Sequence, residues 1–385
     1  MPFYTKRMVR FLEGKEGKGG KGGKEGKKSK KSGTEKGLRV APSSVGTGGK
    51  SAATSGVKQP EVLTTAPAEA IPDMAFDQKK LLFMKQNLKA SLERINKEKG
   101  AFPQKHRYFQ RYTVMADEGP IAETPRCKVF KAQHNDFKEN LLVCKTYEGE
   151  HGIDPNNSLF LKILRVLGKK HPNIIQTWDM FISDNNAILI FQELANKGSL
   201  PKHLEQSTVD EQQVGRWCWQ VFKGLDYLGD IGVSHRAIQP KHVLLSHKDL
   251  RVKLTGFENA ATYWDVQKED IANVPCVPLD QRPADEPSYQ APEVYGDPSK
   301  EEFDPLVADV WSFGATFYYM LTKAYPYDIS SPDPNIGPVI QANIQQIQGL
   351  SADGKRLMAE MLTPLATERK HIDKLATDSW LKAFK

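Results

Sequence analysis

The feature that most constrains this chain is a change of hydrophobic period near residue 199. Before it, short apolar runs such as Leu141-Leu142-Val143-Cys144-Lys145 and Ala187-Ile188-Leu189-Ile190-Phe191 read as β-strands. After it, Val214, Trp217, Cys218, Val221, Phe222, Leu225 and Leu228 recur at helical spacing and trace one broad apolar stripe. A strand-rich piece followed by a helix-rich piece predicts an α+β body in two lobes. No internal repeat interrupts this order.

At 385 residues the chain has room for more than that body. Residues 14–31 are almost wholly Gly, Lys and Glu, and Ser, Thr, Gly and Ala continue the pattern to about residue 65. Such a composition cannot build a core, so residues 1–72 are expected to form a disordered arm. Residues 1–60 hold fifteen Lys and Arg against four Glu, a net of +11 where the whole chain carries +7. The remainder is therefore −4, and the basic character belongs to the arm rather than the body. Two uses fit the arm: a solubilising tail, or an electrostatic grip on an acidic partner such as nucleic acid, an acidic protein tail or an anionic membrane surface. The tail is favoured, because no aromatic is interleaved with the lysines to stack on bases. Lys27-Lys28-Ser29-Lys30-Lys31 also fits a nuclear import signal.

Residues 73–104 are read as an amphipathic helix and linker. Leu81, Met84, Leu88, Leu92 and Ile95 share one helical face, which packs on the following domain. A partner-docking coiled coil is the alternative, but the stripe covers only about two heptads. Gly100 and Pro103 end the helix. Four cysteines without C-x-x-C spacing read as free thiols of a reducing compartment, the cytoplasm, with the nucleus as the alternative. The longest apolar stretch, residues 310–321, is broken by Ser312, Gly314 and Thr316, so no membrane span is expected. The N-terminus lacks the apolar core of a secretory signal, and its glutamates argue against a mitochondrial presequence.

Two short segments carry the chemistry. One reads His235-Arg236-Ala237-Ile238-Gln239-Pro240-Lys241-His242, and the other Thr255-Gly256-Phe257-Glu258. Their layout resembles the H-R-D-L-x-x-x-N and D-F-G motifs of protein kinases. Further pieces follow in the same order. Lys145 is similar to the V-A-I-K lysine, and His171-Pro172-Asn173-Ile174 to the segment after the C helix. Gln192-Glu193-Leu194-Ala195 resembles the hinge, with Gln192 at the gatekeeper place. Ala291-Pro292-Glu293 and Asp309-Val310-Trp311-Ser312-Phe313-Gly314 resemble A-P-E and D-x-W-S-x-G. The resemblance covers about residue 108 to 385, with finer likeness to testis-specific serine/threonine kinases and their calmodulin-kinase-group relatives. It implies a kinase-like domain at 105–385, with a small β-rich lobe at 105–195 and a large helical lobe at 196–385. Nucleotide contacts, if retained, would fall on Lys145, Glu193 and Ala195. By the same resemblance His235, Arg236, Phe257 and Asp309 would be architectural, and Glu293 would pair with Arg369.

Set against that pattern, the catalytic side chains are missing. The glycine places fall on Ala122, Thr124 and Cys127, with Pro125 between, so a plain β-hairpin is expected there. The C-helix glutamate place is Phe160 or Lys162, and residues 156–170 contain no acid, so the Lys–Glu pair cannot come from this helix. Ala237 stands for the base, Gln239 for the phosphate-approaching lysine, His242 for the metal-binding Asn and Gly256 for the metal-binding Asp. Glu286 stands where a Ser or Thr would contact the base. Mg²⁺ asks for hard oxygen ligands, and none is expected here. Glu258 or His242 as rescuing groups would be displaced from the needed geometry, so they read as a solvated Glu and a packed or surface His. The leading expectation is a pseudokinase: a non-catalytic scaffold or allosteric regulator of other proteins, an active kinase or its substrate, with no metal and no cofactor. Metal-free ATP binding is disfavoured. The alternatives are a weak or atypical serine/threonine kinase, and a protein whose basic arm binds nucleic acid or acidic protein tails.

Overall fold

The computed structural model describes residues 76–98, 108–148, 158–168, 171–183, 185–281, 289–327 and 336–385. The arm expected at 1–72 and the site position Glu286 lie outside the described residues.

The described chain opens with helix α1 (Phe76–Lys97). Strands β1 (Tyr112–Val114), β2 (Ala122–Thr124), β3 (Cys127–His134), β4 (Leu141–Tyr147), β5 (Thr177–Ile182) and β6 (Ile188–Glu193) form one antiparallel sheet in the order β1-β3-β4-β6-β5, with β2 folded onto β3. Helix α2 (Leu159–Leu167) is inserted between β4 and β5.

Side chains alternate across a strand with period two, and the sheet uses both faces. Leu142, Cys144, Leu189 and Phe191 join Tyr112, Ala132 and Phe181 in a small core on one side. Tyr147, Ile188 and Ile190 belong instead to the main core, which they share with α2. Six of the nine residues of α2 are buried, so both sheet and neighbouring helices cover it.

The large lobe is helical. Helix α3 (Leu200–Gln206) leads to α4 (Glu211–Asp230), whose N-cap Asp210 accepts from the Gln213 N–H at 2.7 Å. Next come β7 (Val233–Ser234), a loop, and the hairpin of β8 (Val243–Ser246) and β9 (Arg251–Leu254). Strand β10 (Ala261–Thr262) then pairs with β7, and a second hairpin joins β11 (Trp264–Asp265) to β12 (Asp270–Ile271). Helix α5 (Pro305–Thr322) is apolar nearly all round and buried, as the central helix of a lobe must be. Helices α6 (Ile336–Gln346) and α7 (Ala352–Met361) complete the layer around it. The expected passage from strands to helices thus holds in three dimensions. Among the described residues, no helix is long and apolar enough to cross a membrane.

Candidate functional site

The site lies where β4, the loop after β7 and the turn after β9 meet. The loop is held from below by one carboxylate. Asp309, inside α5, accepts from the His235 and Arg236 backbone N–H groups, both at 2.7 Å, and from the Ser234 hydroxyl at 2.8 Å. Burial raises the Asp309 carboxyl to about 6, against the pull of those three donors. Arg236 can therefore be held at φ 61°, a left-handed backbone that few side chains adopt.

His235 is fully buried. Its Nε2 lies 3.0 Å from the Thr255 carbonyl, and its ring packs 4.7 Å from Phe257. The two motif segments are thereby locked together. Burial pushes the His235 imidazole down to about 3, so it stays neutral.

The degenerate positions are filled rather than vacant. Ala237 is buried, and its carbonyl accepts from His242 Nδ1 at 2.8 Å. Gln239, also buried, donates from Nε2 to the Tyr289 hydroxyl at 3.1 Å. His242 is packed, and burial lowers it to about 4. Gly256 sits at φ 81° with the His242 ring in the space a Cβ would take. Glycine supplies no side-chain ligand, and the His242 nitrogen nearest it is already hydrogen-bonded to the Ala237 carbonyl, so these two side chains do not fit Mg²⁺. Among the described residues, no cluster of three or more His, Cys, Asp or Glu could hold a metal ion.

Lys145 has two partners across the cleft. Its Nζ lies 3.7 Å from Glu258 Oε1 and donates to the Thr255 hydroxyl at 3.3 Å. Glu258, read from the sequence as solvated, is 37% exposed and also accepts from the Tyr147 hydroxyl at 2.5 Å. Burial pushes the Glu258 carboxyl up, but Lys145, Tyr147, its own backbone N–H and His242 outweigh it and bring it to about 2. The C-helix positions take no part in this ion pair. Phe160 is buried, and its ring stands 5.9 Å from that of Tyr147, so an aromatic contact links α2 to β4. Tyr147 is the residue that sequence reasoning missed. Its only signal was its place two residues beyond Lys145, on the same face of the strand.

At the hinge, Gln192 is buried and donates to the Thr177 hydroxyl at 3.0 Å. Glu193 forms an ion pair with Lys253 at 2.7 Å and accepts from the Gln176 N–H at 2.8 Å. Ala195 is buried. On the glycine-loop side, Ala122 to Thr124 pairs with Cys127 to Val129 as a hairpin. Farther off, Arg369 grips Glu293 with both terminal guanidinium nitrogens, at 2.5 and 2.9 Å, and also donates to three backbone carbonyls.

A small antiparallel-sheet lobe, a large helical lobe and a histidine-led loop anchored by a buried helix aspartate define a kinase-type bilobal body. The chain belongs to the protein kinase family: the family model for the protein kinase domain matches residues 126–381. It is 28% identical over 230 residues to testis-specific serine/threonine-protein kinase 1 of Homo sapiens, covering 58% of each chain. It is 26% identical to serine/threonine-protein kinase SAPK4 of Oryza sativa subsp. japonica, over 66% of this chain and 68% of that one. CBL-interacting protein kinase 26 of the same rice is 25% identical over 58% of this chain, which spans 42% of that relative's length.

Proposed function

We propose that this protein is a pseudokinase, a kinase-fold scaffold or allosteric regulator of other proteins, an active kinase or its substrate. The observation that carries this reading is the Lys145–Glu258 ion pair. In active kinases the lysine is oriented by a C-helix glutamate and acts on nucleotide phosphates, while a turn Asp holds the metal. Here the lysine's charge is already balanced by a carboxylate from that same turn. Triphosphate entering the cleft would meet Glu258, and no metal ligand at 242 or 256 would offset the repulsion. Without the base at 237, rate would fall by a further factor of about 10²–10⁴.

The test is a thermal-shift series with ATP alone, ATP with Mg²⁺ and ATP with Mn²⁺, beside a phosphate-transfer assay. The reading expects no metal-dependent shift and no transfer above background. Transfer that survives purification and vanishes on Lys145→Ala would overturn it.

A weak or atypical serine/threonine kinase is the second reading. It is favoured by the relatives at 25–28% identity, each named as a protein kinase. The same assays separate the two. The arm's excess charge supports a subsidiary contact with an acidic partner, which should weaken steeply between about 50 and 200 mM salt.

A further inference from the structure

We propose that α1 is a built-in strut: it holds α2, the turn entering the histidine loop and the β11–β12 hairpin in one arrangement, the task that nucleotide and the C-helix ion pair share in active kinases. The proposal stands whether or not the cleft takes ATP.

Helix α2 lacks the ion pair that fixes the corresponding helix in active kinases. Its sequence, Leu159 to Leu167, contains no acid that could reach Lys145, and on the sheet side it is held by apolar packing shared with Tyr147, Ile188 and Ile190, the Phe160–Tyr147 ring contact included. On its other side lies α1. Leu88, Leu92 and Ile95 are 1%, 5% and 0% exposed, although Lys89, Glu93 and Asn96 on the opposite face of the same helix are open to water. These three side chains belong to the same apolar cluster as Leu161, Ile163, Leu164 and Leu167 of α2, and the two helices are in contact.

The same stripe reaches the large lobe. Gly232, at φ 79° between α4 and β7, has Leu92 and Leu88 against it: a Cβ there would stand 3.3 Å from Leu92 Cδ2 and 3.6 Å from Leu88 Cδ2. That turn feeds β7 and then His235, and its carbonyl also accepts from the Tyr263 N–H at 3.0 Å. One turn of helix earlier, Lys85 forms an ion pair with Glu269, in the turn of the β11–β12 hairpin. A single helix therefore touches the small lobe, the entry to the histidine loop and the segment that follows Gly256-Phe257-Glu258.

The test is amide hydrogen exchange on the full chain, since exchange resolves local from global opening. In the variant Leu88→Asp/Leu92→Asp, exchange in residues 159–167 and 264–271 should rise about tenfold or more. Residues 305–322 of α5 should change by less than about twofold. Lys85→Glu should speed exchange in the hairpin alone, and adding Glu269→Lys should restore it. The proposal is overturned if 159–167 and 264–271 keep their protection, or if protection falls equally through α5. Should the double aspartate variant fail to fold, the charge pair decides: a hairpin indifferent to Lys85→Glu, or not rescued by the swap, also overturns it.

Discussion

The His242 imidazole occupies the space that any side chain at position 256 would need. A Cβ added to Gly256 would lie 2.4 Å from His242 Nδ1 and 2.5 Å from its Cγ, and the backbone there has φ 81°. The two departures from the kinase pattern are thus one packing arrangement. Gly256→Ala is expected to destabilise the fold by about 1–3 kcal/mol through strain and overpacking. His242→Ala should relieve the packing part, so the double variant should be more stable than the sum of the singles by about 0.5–3 kcal/mol. Urea denaturation of the four proteins checks this.

Glu258→Gln removes the counter-charge of Lys145. The carboxyl is held at about 2 in the fold against an ordinary 4.5, so its contribution is present above about 4.5 and lost as pH falls towards 2. Its side chain is 37% exposed, which screens the interaction, so the loss at neutral pH is set at about 1 kcal/mol. Acid-unfolding curves should differ between wild type and variant above pH 4.5 and converge towards pH 2.

His242 predicts a loss in the same direction but in a higher window. Its fold value of about 4 lies below the ordinary 6.5, so the unfolded chain takes up a proton first as pH falls. The neutral ring is fully compatible with the fold above 6.5, and stability declines from there towards pH 4. By pH 5 this one group should cost about 2 kcal/mol relative to pH 7.5. His242→Asn cannot titrate, so its stability relative to wild type should improve by that amount between the two pH values, as read by denaturant midpoints.

The Glu293–Arg369 pair predicts a large effect away from the cleft. The Arg369 side chain has 0% exposure and lies 4.9 Å over the Trp311 ring. Arg369→Ala leaves Glu293 without its partner and removes a donor from three carbonyls, and should cost about 3–5 kcal/mol. Arg369→Lys should recover only part, since an ammonium cannot reproduce the two-point grip. Thermal unfolding of both variants checks the order.

Much of the fold was legible in the sequence because its signals are local. The short apolar run Leu141 to Lys145 and the helical spacing in Val214 to Leu228 need only near neighbours to be read. The burial of Leu88, Leu92 and Ile95 could be anticipated from the same spacing, but not that they rest on Gly232. The site divides in the same way. That Ala237, His242 and Gly256 lack the usual groups is a matter of residue identity. That His242 fills the place of a side chain at 256 is a matter of packing.

The sequence by itself determined which chemical groups stand at each position of the kinase frame, because the motifs are short and contiguous. Only the tertiary structure decided what those groups do to one another. Tyr147 and Glu258 are 111 residues apart, and Lys145 finds its carboxylate in the turn after β9 rather than in α2. Such pairings depend on how sheet, loop and buried helix bring distant backbone together, and charge satisfaction inside a cleft follows from that proximity, not from order along the chain.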